Sequence, residues 1–95
     1  MGYRKSVFLV GTAQEHATEW LDLDKDERYT LSVSGTFVGT VVFERELANP
    51  SGEVVREVAT YTAPTEQDGI AAEACRVRLR VKAHTSGEPH MRVGR

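Results

Sequence analysis

The sequence predicts an all-β fold, a small antiparallel β-sandwich or partly open barrel with an N-terminal arm. Three observations carry this. Apolar and polar residues alternate with a period of two from Tyr29 onward, the mark of strands with one face buried. Turn chemistry recurs at short intervals, as it does between the strands of sandwiches and barrels. At 95 residues the chain has room for one modest core, since folding at this size buries only about 60–65% of the unfolded surface.

The arm is taken as residues 1–20, an arm or edge strand, and the sandwich as 21–95. Within the arm, Val7, Phe8, Leu9 and Val10 form a short apolar run, and 12–20 is the one stretch with the pattern for a turn or two of helix. From 29 to 34, Tyr29, Leu31 and Val33 share one face and Thr30, Ser32 and Ser34 the other. Gly35 and Gly39 bracket 36–38, where a corner or a bulged strand is expected. The stretch 40–47 is rich in β-branched and aromatic residues, and Asn49-Pro50-Ser51-Gly52 stops it. A returning strand over 53–61 completes a hairpin and ends at Ala63-Pro64. Gln67-Asp68-Gly69 reads as a further turn. Cys75, Val77, Leu79 and Val81 then alternate with Arg76, Arg78, Arg80 and Lys82, the clearest strand in the chain. A turn at 85–89 leaves 90–93 for a short closing strand.

Composition narrows the function classes. A chain that is 40% hydrophobic and 27% charged is globular, neither disordered nor membrane-embedded. The run from Val7 to Val10 is too short for a signal-peptide core, and no membrane partner is expected. The single Cys75 forms no internal disulfide and fits no zinc spacing, which points to folding in a reducing compartment. Residues 1–75 carry 6 basic and 13 acidic side chains, and residues 76–95 carry 6 basic and 1 acidic. Such a split marks either a basic tail or two parts of one sheet that pair.

The positions of the charges favour pairing. Glu44 and Glu46, or Glu53 and Glu57, recur at the same period as Arg76, Arg78 and Arg80, so opposite charges can face each other across a sheet. The competing use is contact of those arginines with an acidic protein surface. Nucleic acid is not expected, because no aromatic residues stand between the cations as stacking platforms. Asp22-Leu23-Asp24-Lys25-Asp26 begins like a calcium loop but lacks its later glycine and glutamate, which leaves a solvated acidic turn. His84 and His90 fall one ligand short of the usual metal site, and no nucleophile, phosphate-loop or metalloprotease motif is present. The chain is therefore read as non-enzymatic, with no cofactor and no metal.

The stretches 29–46, with its Gly39-Thr40-Val41, 58–63, 75–81 and Thr85-Ser86-Gly87 resemble small β-sandwich proteins of tailed-phage virions. The resemblance covers about two-thirds of the chain and rests on structural motifs of low specificity. It implies a virion protein made in the host cytoplasm, most naturally a capsid decoration or cement protein bound to the major capsid protein, or else a head spike or tail component. It carries over no site residue. A carbohydrate-binding β module is the alternative of another class. Partner contact is expected from the apolar arm (Val7, Phe8, Leu9, Val10), from Trp20 and from Arg76, Arg78 and Arg80, with the arm adding an edge strand either to its own sheet or to a neighbour. Homo-oligomerisation stays open at this level.

Overall fold

The computed structural model describes residues 5–47 and 54–95, the side chains of 54–57 excepted. Among the described residues, eight strands account for the regular structure: β1 (Ser6–Val10), β2 (Leu21–Leu23), β3 (Arg28–Ser34), β4 (Phe37–Leu47), β5 (Val54–Tyr61), β6 (Thr65–Ile70), β7 (Cys75–Gly87) and β8 (His90–Gly94). They form two antiparallel four-stranded sheets, of order β1-β8-β3-β6 and β2-β7-β4-β5, hereafter the β1 sheet and the β2 sheet.

The sheets pack face to face because each presents the apolar half of its alternation inward. Val7, Leu31, Val33, Met91 and Val93 come from the β1 sheet, and Leu21, Leu23, Val41, Phe43, Val77, Leu79 and Val81 from the β2 sheet. Tyr29 stacks on Phe43 across the layer, 5.7 Å between ring centroids. Cys75 is buried in this core, and burial pushes its thiol pKa up, away from nucleophilic use.

Two corners carry the chain between the sheets. One, at 35–36, leads from β3 to β4. The other, at 88–89, leads from β7 to β8. They lie against each other, with the Glu88 amide donating to the Thr36 carbonyl at 3.1 Å. Gly35 (φ +87°) and Gly87 (φ +78°) make this approach possible, since a Cβ on Gly35 would stand 2.7 Å from the Glu88 oxygen and one on Gly87 would collide with the Thr36 carbonyl.

Several expectations are corrected. No helix forms among the described residues, and 12–20 instead runs along the free side of β7. The amides of Glu15 and Thr18 donate to the carbonyls of Val81 and Leu79, and the Val81 amide donates to the His16 carbonyl. The unpaired ladder groups of β7 demand partners, and that demand outweighs a weak local helix preference. Gln67-Asp68-Gly69 is not a turn but the middle of β6. Its polar residues suit an exposed edge strand, and Gly69 leaves room for the Tyr29 ring. β7 continues through Thr85-Ser86-Gly87, paired with Phe37 and Val38, so the last turn shrinks to 88–89. The corner at 35–39 resolves into the turn at Gly35 and a register shift at Gly39. The expected turn at 49–52 lies outside the described residues.

The arm is an edge strand of this chain's own sheet. β1 pairs with β8 from Ser6 opposite Gly94 to Val10 opposite His90. Val7 is buried in the core and Leu9 packs against it. The expectation that Val7 and Leu9 meet a partner is thereby corrected, because both turn into the layer between the sheets that also holds Met91 and Val93.

Candidate functional site

The two sheets differ in what lies on their outer faces. On the β2 sheet, β4 and β7 place Glu44 opposite Arg78 and Glu46 opposite Arg76. Arg78 Nε donates to Glu44 Oε1 at 2.7 Å and Arg80 Nε to Glu44 Oε2 at 2.9 Å, so one carboxylate is held by two guanidinium groups. Arg76 Nε donates to Glu46, and Arg80 Nη1 to Glu15 at 2.8 Å. Burial alone would raise the pKa of Glu44, but the hydrogen bonds and charges of Arg78 and Arg80 outweigh it and hold the carboxyl below its ordinary range. Arg80 is likewise buried, and its two glutamates offset the cost of burial and raise its pKa.

Trp20 completes the cover. Its ring lies over the guanidinium carbons of Arg76 and Arg78, 4.7 and 4.4 Å from them, a double cation–π contact. Val42, on this same outer face, is also fully buried. The arginine ladder is thus spent on its own sheet, as cross-strand charge pairing predicted for Glu44 and Glu46. Glu53 lies outside the described residues, and so does the side chain of Glu57.

The β1 sheet is open on its outside. Reading across the strands, one row is Phe8, Arg92, Ser32 and Glu66, and the next is Ser6, Gly94, Thr30 and Asp68. Phe8 stands out of this face with 57% of its surface exposed, set edge-on to the His90 ring at 6.2 Å. Of the residues expected to meet a partner, Phe8 alone is exposed. Val7 is buried, Leu9 and Val10 are half-buried in β1, Trp20 is half-buried on the ladder, and Arg76, Arg78 and Arg80 are ion-paired. Sequence reasoning missed Arg28, Thr30, Ser32 and Arg92. Period-two alternation puts the first three on one face of a strand, but it does not show which outer face stays open.

A cleft of about 150 Å³ opens between the sheets at their β5 and β6 edge, beside Tyr29, Phe43, Val58 and Tyr61, and the Tyr61 hydroxyl closes part of it by donating to Gln67 at 2.7 Å. Asp24 and Asp26 sit in the tight turn after β2, where the Asp24 amide donates to the Glu27 carboxylate at 2.9 Å. His84 contacts the Gly87 carbonyl at 2.8 Å. Among the described residues no three His, Cys, Asp or Glu side chains converge as a metal site would require, and no helix is long and apolar enough to cross a membrane. No protein-family model, curated protein or solved structure matches the chain.

Proposed function

We propose that the chain is a non-enzymatic structural protein that docks onto another protein through the outer face of the β1 sheet. Its proposed setting is a tailed-phage particle, the head ahead of the tail, with the major capsid protein as partner. The observation that carries the docking reading is the contrast between the faces. The chain covers the middle of one with Trp20, the Glu44 ion pairs and a buried Val42, leaving Val38 exposed near the start of β4, and leaves the aromatic Phe8 bare among polar residues on the other. An exposed large aromatic on a sheet face, beside an arginine, is the composition of an interface anchor. The phage setting rests on the sequence resemblance. A small domain with one open face suits a coat of many equivalent sites, where repetition compensates for weak single contacts.

Cryo-EM of the assembled particle tests this reading, with the β1 sheet expected to face the shell. Finding no copies on head or tail removes the phage setting. Co-sedimentation of a Phe8→Glu variant tests the face itself, with binding expected to fall at least about tenfold while stability stays within about 0.5 kcal/mol, as for other exposed positions. Unchanged co-sedimentation removes the docking face, and glycan-array hits at this face would favour the carbohydrate module.

A further inference from the structure

A groove of about 420 Å³ crosses the open face of the β1 sheet, and its lining includes Arg28, Thr30, Ser32, Glu66, Arg92 and Arg95. We infer that this groove takes a carboxylate-bearing segment of a protein partner, an acidic stretch in extended form. The inference rests on the docking reading and names the partner's chemistry.

The arrangement follows from the strands. Alternation along β3 turns Arg28, Thr30 and Ser32 to the outer face, and β8 sets Arg92 opposite Ser32 and Gly94 opposite Thr30. Gly94 has no side chain to fill the space between Arg92 and Thr30, whose hydroxyl donates to Asp68 at 2.9 Å. Arg28 pairs with no carboxylate among the described residues. Arg95 reaches Glu27 only at 3.3 and 3.4 Å, long beside the roughly 2.7–2.9 Å of a tight guanidinium–carboxylate contact. Its Nε is buried and has no hydrogen-bond partner among the described residues. Arg76, Arg78 and Arg80, by contrast, are fully engaged on the other sheet.

Three guanidinium groups line the groove with one carboxylate, Glu66, and of these Arg28 has no carboxylate partner among the described residues and Arg95 only a long one. Planar guanidinium forks match carboxylates in pairs, and Phe8, on β1 beside Arg92, offers an apolar contact at the rim. A nucleic acid fits less well. The Tyr29 ring is committed to its stack on Phe43 inside the sandwich and offers no platform on which a base could stack.

Two substitutions should move affinity in opposite directions, which general unfolding cannot do. Arg28→Gln removes a cation and should weaken binding of hexaglutamate about tenfold, equal to about 1.4 kcal/mol. Glu66→Gln removes the repelling carboxylate and should tighten it. The test is a two-dimensional amide NMR titration of the full chain at low salt with hexaglutamate, with inorganic phosphate and with an oligothymidylate. The amides of Thr30, Ser32, Arg92 and Gly94 should shift with hexaglutamate at the lowest concentration. Unmoved amides overturn the inference, and so does an equal or stronger response to phosphate or to the oligonucleotide. If Phe8→Glu still abolishes particle binding while the groove stays silent, only the acidic occupant is lost. A responsive groove with no Phe8 effect keeps the anion site and removes the docking reading.

Discussion

At the scale of single residues the molecule depends on a few polar side chains with no exposed alternative. Glu44 has no solvent-accessible surface and holds Arg78 and Arg80 together. Breaking a buried ion pair by removing one partner costs about 3–5 kcal/mol, a large share of the roughly 5–15 kcal/mol that keeps a domain folded. Glu44→Gln should sit near the low end, about 3 kcal/mol, because glutamine keeps one acceptor oxygen. The pH dependence has a definite sign. The folded-state pKa of Glu44 lies below the ordinary 4.5, so its contribution is fully present above that value. It is lost as pH falls through the lower folded value, because the unfolded chain takes up the proton first. Urea midpoints at pH 7 and pH 3 should therefore differ more for the wild type than for the variant. Equal slopes in both proteins would show that Glu44 does not drive the acid response.

Thr18 acts through one oxygen. The Leu79 amide is buried within β7 and finds no backbone carbonyl at this point of its free edge. It donates to Thr18 Oγ1 at 3.2 Å, while the Thr18 hydroxyl donates to the Glu19 carbonyl at 3.0 Å. Thr18→Val keeps the shape and removes the acceptor, leaving a buried donor unsatisfied at a cost of about 1–3 kcal/mol. Thr18→Ser should recover most of that. Amide exchange at Leu79 is the direct reading, with protection lost in the valine variant and kept in the serine variant. Protection that survives in the valine variant would assign the Leu79 amide another acceptor.

Among the strands, β1 carries the clearest consequence. It contributes Val7 and Leu9 to the core and covers one side of β8. Deleting residues 1–10 should lower stability by at least about 3 kcal/mol, since burying one such side chain fully is worth about 1.5–3 kcal/mol and the β8 ladder is exposed as well. Guanidinium unfolding measures it. A truncated protein with an unshifted midpoint would show that β1 is dispensable and return it to the role of an arm. The alternation of β3, β4 and β7 was legible in the sequence because one face of each meets the core. β6 was not, because an edge strand of polar residues and glycine, Thr65 to Ile70, has the composition of a turn. The path of 12–20 was hidden for a related reason. Its conformation is set by the free edge of β7, which is distant in sequence. Of the interaction surface, the partners of the arginine ladder were readable from matching periods, whereas the open face depended on which side Trp20 covers.

For the whole molecule, the topology ties the two ends of the chain together. β8, the last strand in sequence, lies between β1, the first, and β3. The β1 sheet therefore has no partner for β1 until residues 90–94 are in place, and the proposed docking face, built from Phe8, Thr30, Ser32, Arg92 and Gly94, forms at the same step. Non-local pairing of this kind places folding in the millisecond-to-second range, because loop closure costs entropy before the contacts form. The single Trp20 reports from the other sheet, where it lies on Arg76 and Arg78. If the sheets fold as one cooperative unit, a chain ending at Glu88 should lose the native Trp20 emission and its urea transition together, since Leu79 and Val81 of the β2 sheet share one core with Met91 and Val93. Full-length protein should regain Trp20 fluorescence and hexaglutamate binding with one rate constant in stopped-flow refolding. Native Trp20 emission in the shortened chain, with a cooperative transition of its own, would show that the β2 sheet folds first and serves as the platform on which the open face of the β1 sheet is assembled.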